Sequence, residues 1–598
     1  MRRLCLILLC AAARVFAAQP VDAPIIPLDD LKPGQRGEVW TVFKGSEPEP
    51  FSVEVTGILR NALGPGKSLI LCQLTDPRVQ NMGAVAGMSG SPLYVDGKLA
   101  GALSYQIQRF ETVRFAGFTP AADLGEVKER AEHTPPLAAN RNSDIPVAPI
   151  ARPAETNSPY QAIQPVFTLG GLSPVVADLF GPQFAALGMN AFALGGSTQG
   201  STSETTAAKL QSQNSLRPGA TPSLQPGAAV SVALATGDIT LAGTGTVSRV
   251  DGNRITAFGH PMLSLGDVAL PMCSADIVTI LPSSMSSMKV ANTGGVIGTI
   301  TQDRLSAISG TLGAGPEMID VDVKVDLHKG AARSLHFSVA RQQQLTPTLV
   351  AAGVSQAILG SNDAGLANGF KLSSNVQFPA AQQLAFQTLY SGPQGFTQGL
   401  NEFVQSLAAN LQNPYSKTFP DHVEFTVEPL DENPAVTLDL FQLSRTTVRG
   451  GQVVQATLAW RDWQGDAHRE TIDLPIDAAW TGKQLEVVLA PGRALDELTG
   501  RPRVIAASEL RSFEAYLAAM RDDRPTDGVC LAVVERTALF SDQTVSTPDA
   551  PGSIERIARG ADEARFHKRD ALLPLWEKHL LDGKLFNTVV RRPLVVVD

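Results

Sequence analysis

Val85-Ala86-Gly87-Met88-Ser89-Gly90-Ser91-Pro92, continued by Leu93-Tyr94-Val95-Asp96-Gly97-Lys98-Leu99-Ala100-Gly101-Ala102-Leu103-Ser104-Tyr105, is the stretch that decides how this chain is read. A serine hydroxyl is a weak nucleophile, and its attack on a carbonyl builds an oxyanion that backbone N–H groups must hold. Gly-x-Ser-Gly lets the chain curl until the N–H groups of Gly87 and Ser89 point at one spot, because glycine accepts the backbone angles this needs. Pro92 ends the loop and opens a strand. Asp96-Gly97 turns that strand into a hairpin, and the small residues after it form the wall of a cleft. Ser89 is the candidate nucleophile. Ser91 is the backup, in a place just before proline that suits a structural role.

Around this string the chain reads as β. Glu38–Phe43, Phe51–Leu59, Ser68–Leu74, Ser91–Val95, Ala100–Gln106 and Arg114–Thr119 are strand candidates between Gly, Pro, Asn and Asp turns. Short strands at this spacing predict a small barrel or sandwich within 19–125. Residues 126–226 read as linker and connecting segments, with the Ser/Thr/Gln/Gly/Pro-rich run 196–226 inside them. Strand patterns resume over 227–325. A mixed α/β region is expected over 326–420, with helices at Thr346–Gly360 and Gln398–Leu411. A β-sandwich module is expected over 421–498, beginning with a strand at His422–Val427, and a mixed α/β region over 499–598.

Composition sets the outer limits. At 598 residues the chain exceeds the roughly 250–300 residues that one core supports, so three or more packed units are expected. The 43% hydrophobic and 18% charged content is that of a globular protein, and the 52 Gly and 41 Pro suit strands and turns. A net charge of −9 with no basic run gives no nucleic-acid partner. Arg2-Arg3, the apolar run Leu4 to Ala13 and Val15-Phe16-Ala17 read as a cleaved signal peptide over residues 1–18, which places the mature protein outside the cytoplasm. Removal of that segment leaves Cys72, Cys273 and Cys530, which read as buried core thiols. There is no HExxH, CxxC or phosphate loop, and neither a cofactor nor a metal is expected.

A serine nucleophile needs a general base, and no histidine precedes His133. His133 lies in the linker. His260 ends the uncharged strand Ile255-Thr256-Ala257-Phe258-Gly259, downstream of Gly243-Thr244-Gly245-Thr246-Val247. For the carboxylate that orients the base, Asp76 in Leu74-Thr75-Asp76-Pro77-Arg78 is favoured, and Asp276 in Ala275-Asp276-Ile277-Val278 is the alternative.

The serine string resembles the Gly-Asp-Ser-Gly-Gly-Pro segment of the trypsin-like fold. More closely it resembles the SpoIVB-type serine peptidases of bacteria, which carry Gly-Met-Ser-Gly-Ser-Pro before a Gly-Lys turn. Thr41-Val42-Phe43 and Val53-Glu54-Val55 are similar to the same domain. So are the His260 segment, Val296-Ile297-Gly298-Thr299-Ile300-Thr301 and Gly310-Thr311-Leu312. The resemblance implies a mainly β protein with a trypsin-like double β-barrel made of two half-domains, here followed by the sandwich and the C-terminal α/β region. It implies Ser89 as nucleophile, His260 as base, Asp76 (or Asp276) as orienting carboxylate, and the Gly87 and Ser89 N–H groups as oxyanion hole. In that family the histidine half precedes the serine half, whereas here the order is reversed. Triads are set by geometry, so two barrel halves joined by a long linker can pack in either order.

Two functions from different classes are therefore expected from the sequence. The first is an exported serine endopeptidase that cleaves specific protein or peptide substrates. The second is a catalytically inactive envelope binding or scaffold protein on a peptidase-derived fold, with peripheral association at the envelope.

Overall fold

In the computed structural model, the residues described are 19–598 apart from 108–113, 134–159, 164, 190, 193–195, 198–223, 284–286, 327–331, 361–363, 380–381, 412–418, 501–512, 522, 543–544, 549–550, 554–555 and 557–565. The expected signal segment lies outside them. Among the described residues no helix is long and apolar enough to cross a membrane.

The protein is mainly β, and its N-terminal part is a closed barrel. Six strands form it: β1 (Arg36–Val42), β2 (Pro48–Leu59), β3 (Leu69–Leu74), β4 (Pro92–Val95), β5 (Lys98–Ile107) and β6 (Phe115–Pro120). They run in the order β4-β1-β2-β3-β6-β5, and β5 pairs again with β4 to close the ring. Alternation drives it. In β2 the residues Phe51, Val53 and Val55 point inward while Ser52, Glu54 and Thr56 face water. A short helix, α1 (Pro77–Met82), precedes the serine loop, and α2 (Ala121–His133) follows β6.

A second six-stranded ring holds His260. Its strands are β7 (Ala229–Gly237), β8 (Thr240–Asp251), β9 (Arg254–Ala257), β10 (Gly266–Leu281), β11 (Met288–Arg304) and β12 (Ala307–Leu312). Their order is β7-β10-β11-β12-β9-β8, and a β7–β8 pairing closes it. The trypsin-like double barrel expected from the sequence is thus the core architecture. The sheet continues past this ring through Arg333–Ala340, Met318–Val325, His422–Pro429, Phe370–Phe378 and Gln382–Tyr390. His422–Pro429 therefore sits between 318–325 and 370–378, away from the sandwich whose first strand it was expected to be. Its alternation is the same in either sheet, so pattern alone does not assign its partners.

The two barrels meet along a seam. Val42 of the first packs with Ala229, Ile277 and Ala291 of the second, and Ala102, Leu124 and Val127 pack with Ala307. Fully burying each larger side chain here contributes roughly 1.5–3 kcal/mol. The hairpin β10–β11 reaches across the seam. Gly45 and Ile277 exchange both backbone hydrogen bonds, at 2.7 and 2.9 Å. Beyond residue 436 a three-stranded sheet (437–443, 453–461, 467–475) faces a second sheet that includes 484–490, 529–542, 566–580 and 590–597 across one apolar core. The sandwich is thus completed by the chain's last strand.

Candidate active site

The serine loop is held at almost every polar backbone group. The Met88 side chain fills the core of the first barrel. Ala86 N–H donates to Ser287 O (2.8 Å), Met88 N–H to Val85 O (2.9 Å) and Gly90 N–H to Leu103 O (2.7 Å). Ser91 donates from both its N–H (3.0 Å) and its Oγ (2.6 Å) to Met88 O, so its hydroxyl is engaged in holding the loop. On the acceptor side, Thr246 N–H donates to Ser89 O (2.8 Å) and Thr246 Oγ1 to Gly87 O (3.1 Å). Among the described residues the N–H groups of Val85, Gly87 and Ser89 have no acceptor, and the last two are the pair that the Gly-x-Ser-Gly curl turns toward one spot. Buried backbone donors are rarely left without a protein acceptor, and such groups gather at sites of strain, bound water or catalysis.

The curl that exposes them depends on two left-handed glycines, Gly87 (φ +90°) and Gly90 (φ +95°). Gly90 also allows the barrels to touch, since a Cβ there would lie 2.0 Å from Thr246 O and 2.5 Å from Phe258 N. Ser89 is 0% exposed, and among the described residues its Oγ has no hydrogen-bond partner.

The histidine is delivered by an equally constrained turn. Phe258 (φ +72°) and Gly259 (φ +70°) are successive left-handed residues that swing the chain off β9. A non-glycine residue in that region is strained, and strain of this kind gathers at functional sites. Phe258 N–H donates to Thr246 O (3.1 Å), and its ring lies over Gly245, whose missing Cβ would sit 2.5 Å from it. Thr119 of the first barrel donates its hydroxyl to Gly259 O (2.6 Å). Thr246 and Thr119 thus tie the serine loop and the histidine turn together across the seam. After His260, the buried carboxylate of Asp303 on β11 accepts three backbone hydrogen bonds, from Met262 (2.7 Å), Leu263 (2.9 Å) and Leu265 (3.0 Å). Burial pushes the Asp303 acid up, against the pull of those three bonds.

The imidazole is in the state a base requires. Nδ1 lies 2.7 Å from Pro261 O, and a carbonyl only accepts, so Nδ1 carries the proton and Nε2 presents a lone pair. Nε2 is buried without a partner. Burial lowers the His260 pKa to about 4, against a smaller opposing effect of the Pro261 bond. The ring is therefore neutral at pH 7.

The structure brings Ser89, Gly87 and the His260 turn together and leaves the two aspartates aside. The Asp76 carboxylate caps α1 through Arg78 N–H (2.9 Å) and pairs with the Arg78 guanidinium (3.1 Å). Burial raises its pKa, but the Arg78 contacts outweigh this and hold it below the usual carboxylate range. Asp276 is exposed on β10. Neither bonds to His260, whose Nδ1 faces the Pro261 carbonyl instead. No hydrogen bond joins Ser89 Oγ to His260 Nε2, each being without a partner. His133 ends α2. Cys72, Cys273 and Cys530 are buried free thiols. Among the described residues no group of His, Cys, Asp or Glu could hold a metal. Sequence reasoning missed Thr246, Asp303 and a buried lysine, Lys289 on β11, as parts of the site. Lys289 is on the inward face of a period-two pattern with Ala291 and Thr293, and a lysine in that phase is the one local signal.

Comparison with known proteins gives one result. Residues 17–110 match the family model of the SpoIVB peptidase S55, so the likeness of the serine half to that family is shown. The matched segment contains Ser89 and ends before His260. No curated protein and no solved structure gave a significant match.

Proposed function

We propose that this chain is a serine peptidase of SpoIVB type, acting on protein or peptide substrates through an acyl-enzyme. A peptidase at the family level is supported by the match over residues 17–110. The observation that carries the chemistry is the cluster of buried groups left unpaired at the seam: Gly87 N–H, Ser89 N–H, Ser89 Oγ and His260 Nε2. Ser89 Oγ attacks the scissile carbonyl and its proton passes to His260 Nε2. The two N–H groups hold the oxyanion, and the proton then goes to the leaving amine. The Pro261 carbonyl takes the orienting position where a triad has a carboxylate. A neutral carbonyl stabilises the imidazolium less than a carboxylate does, so acylation is slower than in a full triad. Catalytic hydrogen bonds often tighten only when substrate is bound, which accommodates the open Ser89–His260 pair. The resemblance implies narrow specificity, and the N-terminal segment implies action outside the cytoplasm.

Labelling of the full chain by a fluorophosphonate probe tests this reading. Wild type is expected to be labelled, Ser89→Ala unlabelled, and His260→Ala slowed by about 10³-fold or more. The rate should rise with pH through about 4, where buried His260 loses its proton, rather than near the ordinary imidazole value. An unlabelled wild type, or equal labelling of Ser89→Ala, removes the peptidase reading. The scaffold reading then stands, favoured by the full burial of Ser89 and by a cavity of about 530 Å³ near Tyr390, Phe403 and Phe586, which includes no residue of the site.

A further inference from the structure

Lys289 is fully buried, yet among the described residues it serves no ion pair. Its Nζ donates to Thr41 Oγ1 at 2.8 Å, its one side-chain bond among them. No charged group accounts for its state. Burial is the sole cause that lowers its pKa, to about 7. The acids on the strands packed around it, Glu38, Glu49 and Glu54 of the first barrel and Asp267 and Asp276 of β10, are exposed to water, as is Arg36, and Glu49, across from Thr41, pairs with Arg78. Isolated charges are costly to bury, and a buried lysine beside a candidate site is a candidate for a functional role.

Its place in the fold is specific. β11 crosses the seam and lies beside the serine loop, where Lys289 N–H donates to Ala86 O (2.9 Å) and Ala86 N–H to Ser287 O (2.8 Å). The lysine stem then runs along Gly87. A Cβ built on that glycine would be 3.1 Å from Lys289 Cβ, 3.4 Å from Cγ and 3.3 Å from Cδ. The stem packs against Gly87 on the side where a side chain would stand, and the amine ends on Thr41 Oγ1.

We infer that Lys289 is a positioning residue of the active site, whose stem braces Gly87 in the oxyanion-holding conformation and whose buried amine adds positive potential near the serine loop. A fixed positive charge in a dry site favours a developing oxyanion far more than the same charge in water. The histidine barrel therefore supplies two things to Ser89: the base, and the residue that shapes the pocket for the oxyanion. This inference rests on the peptidase reading above.

The two parts of the role separate by substitution. Lys289→Met keeps the stem and removes the charge; Lys289→Ala removes both. Acylation by the fluorophosphonate is followed from pH 4 to 9 on the full chain. In wild type the rate rises through about 4 as His260 becomes neutral and falls through about 7 as Lys289 loses its charge. Lys289→Met is expected to lose about tenfold in rate near pH 6 and to lack the fall near 7, with its urea midpoint not lowered. Lys289→Ala is expected to be slower still. If wild type is labelled and Lys289→Met matches it in rate and pH profile, this inference fails and the peptidase reading stands. If Lys289→Met keeps the fall near 7, the charge has no part and the inference fails as stated. If wild type is not labelled, both fall together.

Discussion

The two barrels close in the same way, six strands with one extra pairing, but they present their functional groups by different means. The serine barrel uses a loop of small residues, anchored by Met88 in its own core and by Ser91 on Met88 O. The histidine barrel uses a strained turn, Phe258-Gly259, steadied by the buried acid Asp303 of its own strand β11. Each barrel has its own apolar cluster, that of the histidine barrel continuing into the sheet and helices beyond it, whereas main-chain bonds cross between the barrels at Ser89–Thr246, Ala86–Ser287 and Ala86–Lys289. Core stability and site geometry are therefore separable, and substitutions sort by which of the two they touch.

Gly90→Ala breaks the comparison most severely. A Cβ there overlaps Thr246 O and Phe258 N, and the residue is left-handed. We expect about 3 kcal/mol or more of lost stability in urea titration, together with loss of labelling, since the seam itself is displaced. A Gly90→Ala protein of wild-type stability would show that the barrels do not touch here. Asp303→Ala strikes within one barrel. It leaves three backbone donors unpaired and should cost about 2–3 kcal/mol, with labelling falling through a loosened His260 rather than a lost seam. Asp303→Asn should recover part of both. Asp76→Ala is the smallest expected change. Loss of a helix cap costs about 1 kcal/mol. Labelling should persist, because the Asp76 carboxylate serves α1 and Arg78. A drop of about 10³-fold in labelling with this variant would instead restore Asp76 as the carboxylate that serves His260.

Lys289 sharpens the comparison through stability. Its folded pKa of about 7 lies below the unfolded value of about 10.4, so between those limits the unfolded chain binds more protons. Stability should then rise with pH from about 7 toward 10, and Lys289→Met should flatten that rise. Urea midpoints at several pH values measure it.

How much of this could be read beforehand follows the same division. The strands of the serine barrel are legible to within three residues at their ends, because Phe51, Val53 and Val55 alternate with polar neighbours and Asp96-Gly97 marks a turn. The loop is legible because few sequences other than Gly-Met-Ser-Gly-Ser-Pro combine two left-handed glycines with a serine between them. The helix α1 was not placed from the sequence, where Asp76 drew a catalytic reading; in the structure Asp76 caps it ahead of Pro77. Asp303, flanked by Gln302 and Arg304, looks like surface polarity until β10 and β11 are paired and its carboxylate turns toward Met262 N–H. Gly245 looks like one more flexible position until the ring of Phe258 is seen lying over it. These are long-range facts, and a local pattern does not carry them.

The chain order has a consequence in time. Ser89 lies in the part of the polypeptide made first, but the groups that surround it arrive with Thr246, His260, Lys289 and Asp303. A nascent chain that has just completed its first barrel holds the nucleophile without base, brace or seam. Under the proposed function it remains inert toward its surroundings until the second barrel has been synthesised and has closed upon it, so the reversed order acts as a delay between making the reactive residue and arming it.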